Sequence, residues 1–119
     1  MSIKALFAQP FASIISAQVK KDSRRAVEHQ NKIRVSLLQD AKQTQFGKDH
    51  SFHQVHSHQE FCAAIPIRDY EQFKPYIERV KQGESDILWK GLPLYFAKTS
   101  GTTSGVKYIP ISKESISFH

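Results

Sequence analysis

Apolar residues recur at three- and four-residue intervals through the N-terminal third of the chain. Ile3, Phe7, Phe11, Ile14, Ile15 and Val19 share one face of a 3.6-residue period and predict a first helix. Pro10 lacks an N–H, so it sets either the start of the regular part or a bend within it. From Asp22 to about Thr44 a second periodic stretch carries Ala26, Ile33, Leu37 and Ala41 on one side. Arg24, Arg25, Glu28, Lys32 and Lys42 fall largely on the other, the pattern of an amphipathic helix. Gly47 supplies a stop signal, and Phe46 beside it is placed to pack back on the helix end.

Two capping signatures follow. Ser57-His58-Gln59-Glu60 has the Ser-x-x-Glu form ahead of the apolar run Phe61-Cys62-Ala63-Ala64 and predicts a brief helix. Asp69-Tyr70-Glu71-Gln72 repeats the logic and opens a helix that sets Tyr70, Phe73, Tyr76, Ile77 and Val80 at helical spacing, with Pro75 an expected irregularity and Gly83 its end. Ile87-Leu88-Trp89 reads as core. Beyond it the period shortens. Leu94-Tyr95-Phe96-Ala97 and Tyr108-Ile109-Pro110-Ile111 are short apolar runs on either side of a polar loop, which predicts two strands of a hairpin. Ser112 is then a good N-cap, and residues 113–119 read as the opening turns of an unfinished helix, so the chain is expected to be the first piece of a longer protein.

The hairpin loop carries the candidate chemistry. Thr99-Ser100-Gly101-Thr102-Thr103-Ser104-Gly105-Val106-Lys107 combines glycines, which let backbone N–H groups come close to a ligand, with the hydroxyls of Ser100, Thr102, Thr103 and Ser104. Lys107 adds a mobile positive charge suited to a polyphosphate or a leaving pyrophosphate. The pattern is not a Walker A loop: three residues separate Gly101 from Gly105, and Tyr108 follows the lysine where Ser or Thr would stand. The plain alternative is a polar surface turn.

The loop is similar to the Ser-Gly-Thr-Thr-Gly...Lys signature of the adenylate-forming superfamily. Together with Ile65-Pro66-Ile67-Arg68-Asp69-Tyr70-Glu71-Gln72-Phe73-Lys74-Pro75-Tyr76-Ile77, Gly83, Tyr108-Ile109-Pro110-Ile111 and Thr44-Gln45-Phe46-Gly47, it resembles the N-terminal region of the auxin-responsive Gretchen Hagen family of acyl-acid amido synthetases, especially bacterial members. The resemblance implies an enzyme that uses ATP and Mg²⁺ to turn a carboxylic acid into an acyl-adenylate and passes the acyl group to an amine, typically of an amino acid. It implies that Ser100, Gly101, Thr102, Thr103, Ser104, Gly105 and Lys107 line the ATP phosphates, with no catalytic residue and no metal ligand in this chain. The expected fold is α+β, a mostly helical segment with a short β-hairpin around the loop. Residues 1–119 would form a single segment of a larger adenylating domain, inactive by itself.

Composition adds limits. With 39% hydrophobic and 24% charged residues the chain has the make-up of an ordinary globular protein. One cysteine, Cys62, excludes an internal disulfide and fits a reducing compartment, so a cytoplasmic protein is expected. The thiol is expected to be buried in its apolar run. Ala5–Ala17 behind Lys4 has some features of a signal peptide, but Gln9, Pro10 and Ser13 interrupt it and Lys20-Lys21 would follow the cut. The net charge of +6 is spread along the chain without aromatic interleaving, so neither nucleic acid nor a membrane is an expected partner. Two other classes stay open: a helical interaction module without nucleotide, and a basic nucleic-acid binder using Lys20, Lys21, Arg24, Arg25, Lys32 and Arg34. Truncated faces and edges would favour self-association. His50, His53, His56 and His58 lie within nine residues but lack the partner pattern of a metal site and read as loop histidines.

Overall fold

The computed structural model of the chain describes residues 3–101 and 105–118. The fold is α+β, mostly helical with one antiparallel hairpin, and it divides into two units, Met1–Arg34 and Val35–His119. The elements in order are α1 (Ile3–Arg24), α2 (Ala26–Ala41), α3 (Gln45–Asp49), a 3₁₀ turn (Phe52–Gln54), α4 (His58–Ala64), α5 (Tyr70–Lys81), β1 (Tyr95–Lys98), β2 (Tyr108–Ile111) and a last 3₁₀ turn (Ser115–Phe118).

In the first unit α1 runs through Pro10 and leaves Phe11, Ile14, Ile15 and Val19 exposed. Arg25 and Lys32 both pair with Glu28 at the start of α2, at 2.6 and 2.7 Å. No helix among the described residues is long and apolar enough to cross a membrane.

In the second unit α2 ends by turning Leu38 and Ala41 inward, while Leu37, expected on the buried side, is half exposed. Leu38 and Ala41 meet Phe52 and Val55, and Phe46, Phe61, Ala64, Ile65 and Trp89 close around them. Gly47 does not end α2. It sits inside α3, where a Cβ would run into the carbonyl of Ala41, so glycine is needed for close approach of the two helices' backbones. Thr44 makes the corner: its hydroxyl donates to Ala41 O (2.7 Å) and accepts from Gly47 N–H (3.0 Å), while the Gln45 and Phe46 N–H groups reach the carbonyls of Asp86 and Ile87. The first donors of α3 are therefore satisfied.

Both capping boxes form, at Ser57–Glu60 before α4 and at Asp69–Gln72 before α5. α5 continues through Pro75 and stops at Gly83, whose φ of +90° allows the Gly83 N–H to reach Val80 O and the Glu84 N–H to reach Arg79 O. Its inner face buries Ile77 and Val80, and Ile87 and Ile111 are buried as well. Cys62 departs from expectation: it is exposed. Phe61 and Ala64, three apart, share the face of α4 packed on the core, which turns the residue after Phe61 outward.

Candidate functional site

The hairpin aligns Tyr95 with Ile111, Phe96 with Pro110, Ala97 with Ile109 and Lys98 with Tyr108. Past the last pair, the Thr99 N–H donates to the Lys107 carbonyl at 3.0 Å and the Lys107 N–H donates to the Thr99 hydroxyl at 3.3 Å, so these two residues close the mouth of the loop. A Cβ on Gly101 would collide with the backbone of Gly105, and Gly105 has φ of +80°. The two glycines thus serve different ends. One allows the loop's limbs to touch; the other supplies a left-handed turn.

Ser100, Gly101 and Gly105 are exposed and Lys107 is half-buried, whereas Thr102, Thr103 and Ser104 lie outside the described residues. The structure therefore brings Gly101, Gly105 and Lys107 of the candidate set to one loop mouth. Thr99 joins them, a residue whose structural part the motif did not single out. Its position directly after a strand was the available signal.

α5 anchors the loop. The capping box starts the helix at Tyr70, and the Tyr70 hydroxyl accepts the Tyr108 N–H at 2.8 Å. The Lys107 ammonium stands 5.8 Å from the centre of the Tyr70 ring. At the other end of α5, Lys81 lies 4.4 Å from the Tyr108 ring centre and is paired with Glu78 at 2.9 Å. Phe96 meets the Tyr108 ring edge-on from β1. Sequence periodicity placed Tyr70 on the packing face of α5; only its contact across 38 residues reveals the link to the loop.

A cavity of about 230 Å³ lies on the same unit, lined largely by apolar groups that include Val80, Ile87, Trp89, Leu92 and Pro110. Pro110 belongs to β2, so the cavity and the loop share a strand.

The histidines separate. His50 is buried, its Nδ1 2.8 Å from Phe46 O and its Nε2 2.8 Å from Arg68 Nη2. Arginine only donates, so Nε2 is the acceptor and Nδ1 carries the proton. The ring stacks on Phe46 at 4.1 Å, and Phe46 also packs on Phe73 and Tyr76. This aromatic group joins α3 to α5. Across the same junction the Tyr76 hydroxyl donates to Asp49 at 2.7 Å, and this bond, aided by Gln45, holds the Asp49 carboxyl below its ordinary range. Burial, then Asp49, raises the Tyr76 phenol. His58 lies 3.7 Å from the exposed Cys62 thiol. Among the described residues no three His, Cys, Asp or Glu side chains are grouped to hold a metal.

A comparison with family profiles finds the GH3 family N-terminal domain across residues 15–118, a span that contains α2 to β2 and the whole loop. No curated protein and no solved structure matches the chain.

Proposed function

The chain belongs to the GH3 family, and from that premise we propose that it is the N-terminal part of an ATP-dependent acyl-acid amido synthetase, in which the loop from Thr99 to Lys107 receives the ATP triphosphate. The observation that supports this reading is the closed loop mouth, where the Thr99–Lys107 hydrogen bonds and the close Gly101 and Gly105 backbones hold together the ends of a hydroxyl- and glycine-rich loop at Lys107. Ser100, Gly101, Thr102, Thr103, Ser104, Gly105 and Lys107 are assigned to the phosphates.

In such a reaction the carboxylate oxygen attacks the α-phosphorus, the bond from that phosphorus to the bridging oxygen breaks, and pyrophosphate leaves with the electron pair. An amine then attacks the acyl carbon, AMP departs and the amine loses a proton. The residues of this chain act on the first step. Backbone N–H groups and hydroxyls fix the β- and γ-phosphates, and the Lys107 charge offsets the charge that grows on the departing pyrophosphate. No base or nucleophile is required from the loop. The described residues contain no cage for Mg²⁺, so no step is assigned through the metal. The acid and the amine would be bound mainly by other parts of the enzyme, which makes this segment inactive alone.

The test is ATP–pyrophosphate exchange, driven by a panel of carboxylic acids, in the enzyme that carries this domain. Lys107→Ala and Thr102→Val should each lower the exchange rate by about tenfold or more, the loss expected for an interaction that strengthens as charge develops. Unchanged exchange in both variants would remove the loop from the reaction.

A further inference from the structure

We propose that Tyr70 is a positioning residue for Lys107, holding the loop's cation in place before a phosphate arrives. The inference rests on the triphosphate reading of the loop and adds to it a residue from a different element. Tyr70 makes two contacts. Its hydroxyl accepts the Tyr108 N–H at 2.8 Å, which fixes the backbone directly after the lysine. Its ring lies 5.8 Å from the lysine ammonium, within the range at which a ring face attracts a cation. Backbone and side chain of the same short stretch are thus held by one residue.

The arrangement answers a cost that any lysine-based anion site meets. A lysine samples many rotamers, and fixing them on binding weakens affinity. Thr99 already holds the Lys107 N–H and carbonyl. Adding the ring restricts the side chain without neutralising it, since an aromatic face carries no net charge. Lys81, on the same helix, shows the contrast: it too sits over a ring, but its ammonium is engaged by both oxygens of Glu78 at 2.9 and 3.1 Å. Of these two ring-facing lysines, Lys107 is the one with no carboxylate partner among the described residues. Tyrosine alone among the aromatic residues combines a broad ring face with an oxygen that accepts a backbone N–H here; phenylalanine keeps only the first.

The experiment uses the enzyme that carries this domain, isotopically labelled, with ATP as the probe. In the wild type the Lys107 side-chain methylene protons should be shifted upfield by the ring, a shift kept in Tyr70→Phe and lost in Tyr70→Leu. ATP affinity should fall by about two- to fivefold in Tyr70→Leu relative to Tyr70→Phe, the worth of an exposed cation–ring contact. That gap should close when Lys107→Ala is added to both, because the ring acts through the lysine. A gap that persists without Lys107, or equal affinities in the first pair, would overturn the inference. So would an unshifted Lys107 in the wild type, a measurement that needs no variant to fold. An upfield-shifted Lys107 in a chain whose loop amides ignore ATP overturns the triphosphate reading instead, and with it the purpose assigned to Tyr70.

Discussion

Replacing Thr44 by valine tests whether one buried hydroxyl holds the corner between α2 and α3. Thr44 is 1% exposed, and its hydroxyl makes two hydrogen bonds, to Ala41 O at 2.7 Å and from Gly47 N–H at 3.0 Å. Valine preserves the shape and removes both. The Ala41 carbonyl keeps the Thr44 N–H as a partner at 3.0 Å, so its loss is the smaller one. Gly47 is buried, and its N–H would be left without its cap. Losing an N-cap costs about 1 kcal/mol, and an orphaned buried donor raises the figure towards the upper end of 1–3 kcal/mol. A net loss of about 2 kcal/mol is expected, equivalent to a fall of roughly 8–16 °C in Tm for a unit of this size. Urea denaturation should show a lower midpoint with an unchanged slope. Thr44→Ser, which keeps the hydroxyl and removes one methyl, should lose only about 1 kcal/mol. A valine variant within about 0.5 kcal/mol of the wild type would refute the assignment of the corner to this side chain.

Two further outcomes are expected. Gly101→Ala should spread the loop mouth, since its new methyl meets the Gly105 backbone, and should abolish any ATP response at Lys107. Gly105→Ala meets nothing among the described residues and should cost only about 1 kcal/mol for its left-handed φ; equal effects of the two would contradict the division of roles. Glu28 is held at about 2, first by its hydrogen bond from Arg25 and next by that from Lys32, against an ordinary 4.5. Because the folded value is the lower one, the stabilisation is present above pH 4.5 and is lost as the pH falls from 4.5 through about 2. The Glu28 side chain is exposed, so added salt should weaken the effect. An NMR titration midpoint near 4.5 at low salt would show that the Arg25–Glu28–Lys32 cluster does not form.

Local signals in the sequence translated directly into structure. The two capping boxes and the Gly83 stop depend on residues a few positions apart and form where the pattern placed them, and the hairpin forms around the loop with its first strand one residue later than expected, at Tyr95–Lys98. Features set by distant partners were not legible. Leu38 faces inward where Leu37 was expected because the core it meets, Phe52 and Val55, lies beyond a turn that helical periodicity does not see. Gly47 read as a helix stop because glycine at a helix end usually is one; here the demand is close approach to Ala41. Cys62 lies in an apolar run, yet a run of four on a helix points in several directions and only Phe61 and Ala64 reach the core. At the candidate loop, composition and resemblance single out the glycines and Lys107. They do not single out Tyr70, since its tie to Tyr108 is a contact between α5 and β2.

Triphosphate recognition by the loop between β1 and β2 can be read from amide spectra of the enzyme that carries this domain, recorded against increasing ATP, inorganic tripolyphosphate and AMP in turn. ATP and tripolyphosphate should shift the Ser100, Gly101, Gly105 and Lys107 amides in a saturable way, while AMP, lacking the β- and γ-phosphates, leaves them in place. Equal shifts with AMP, or saturable shifts confined to residues outside the loop, would contradict the account.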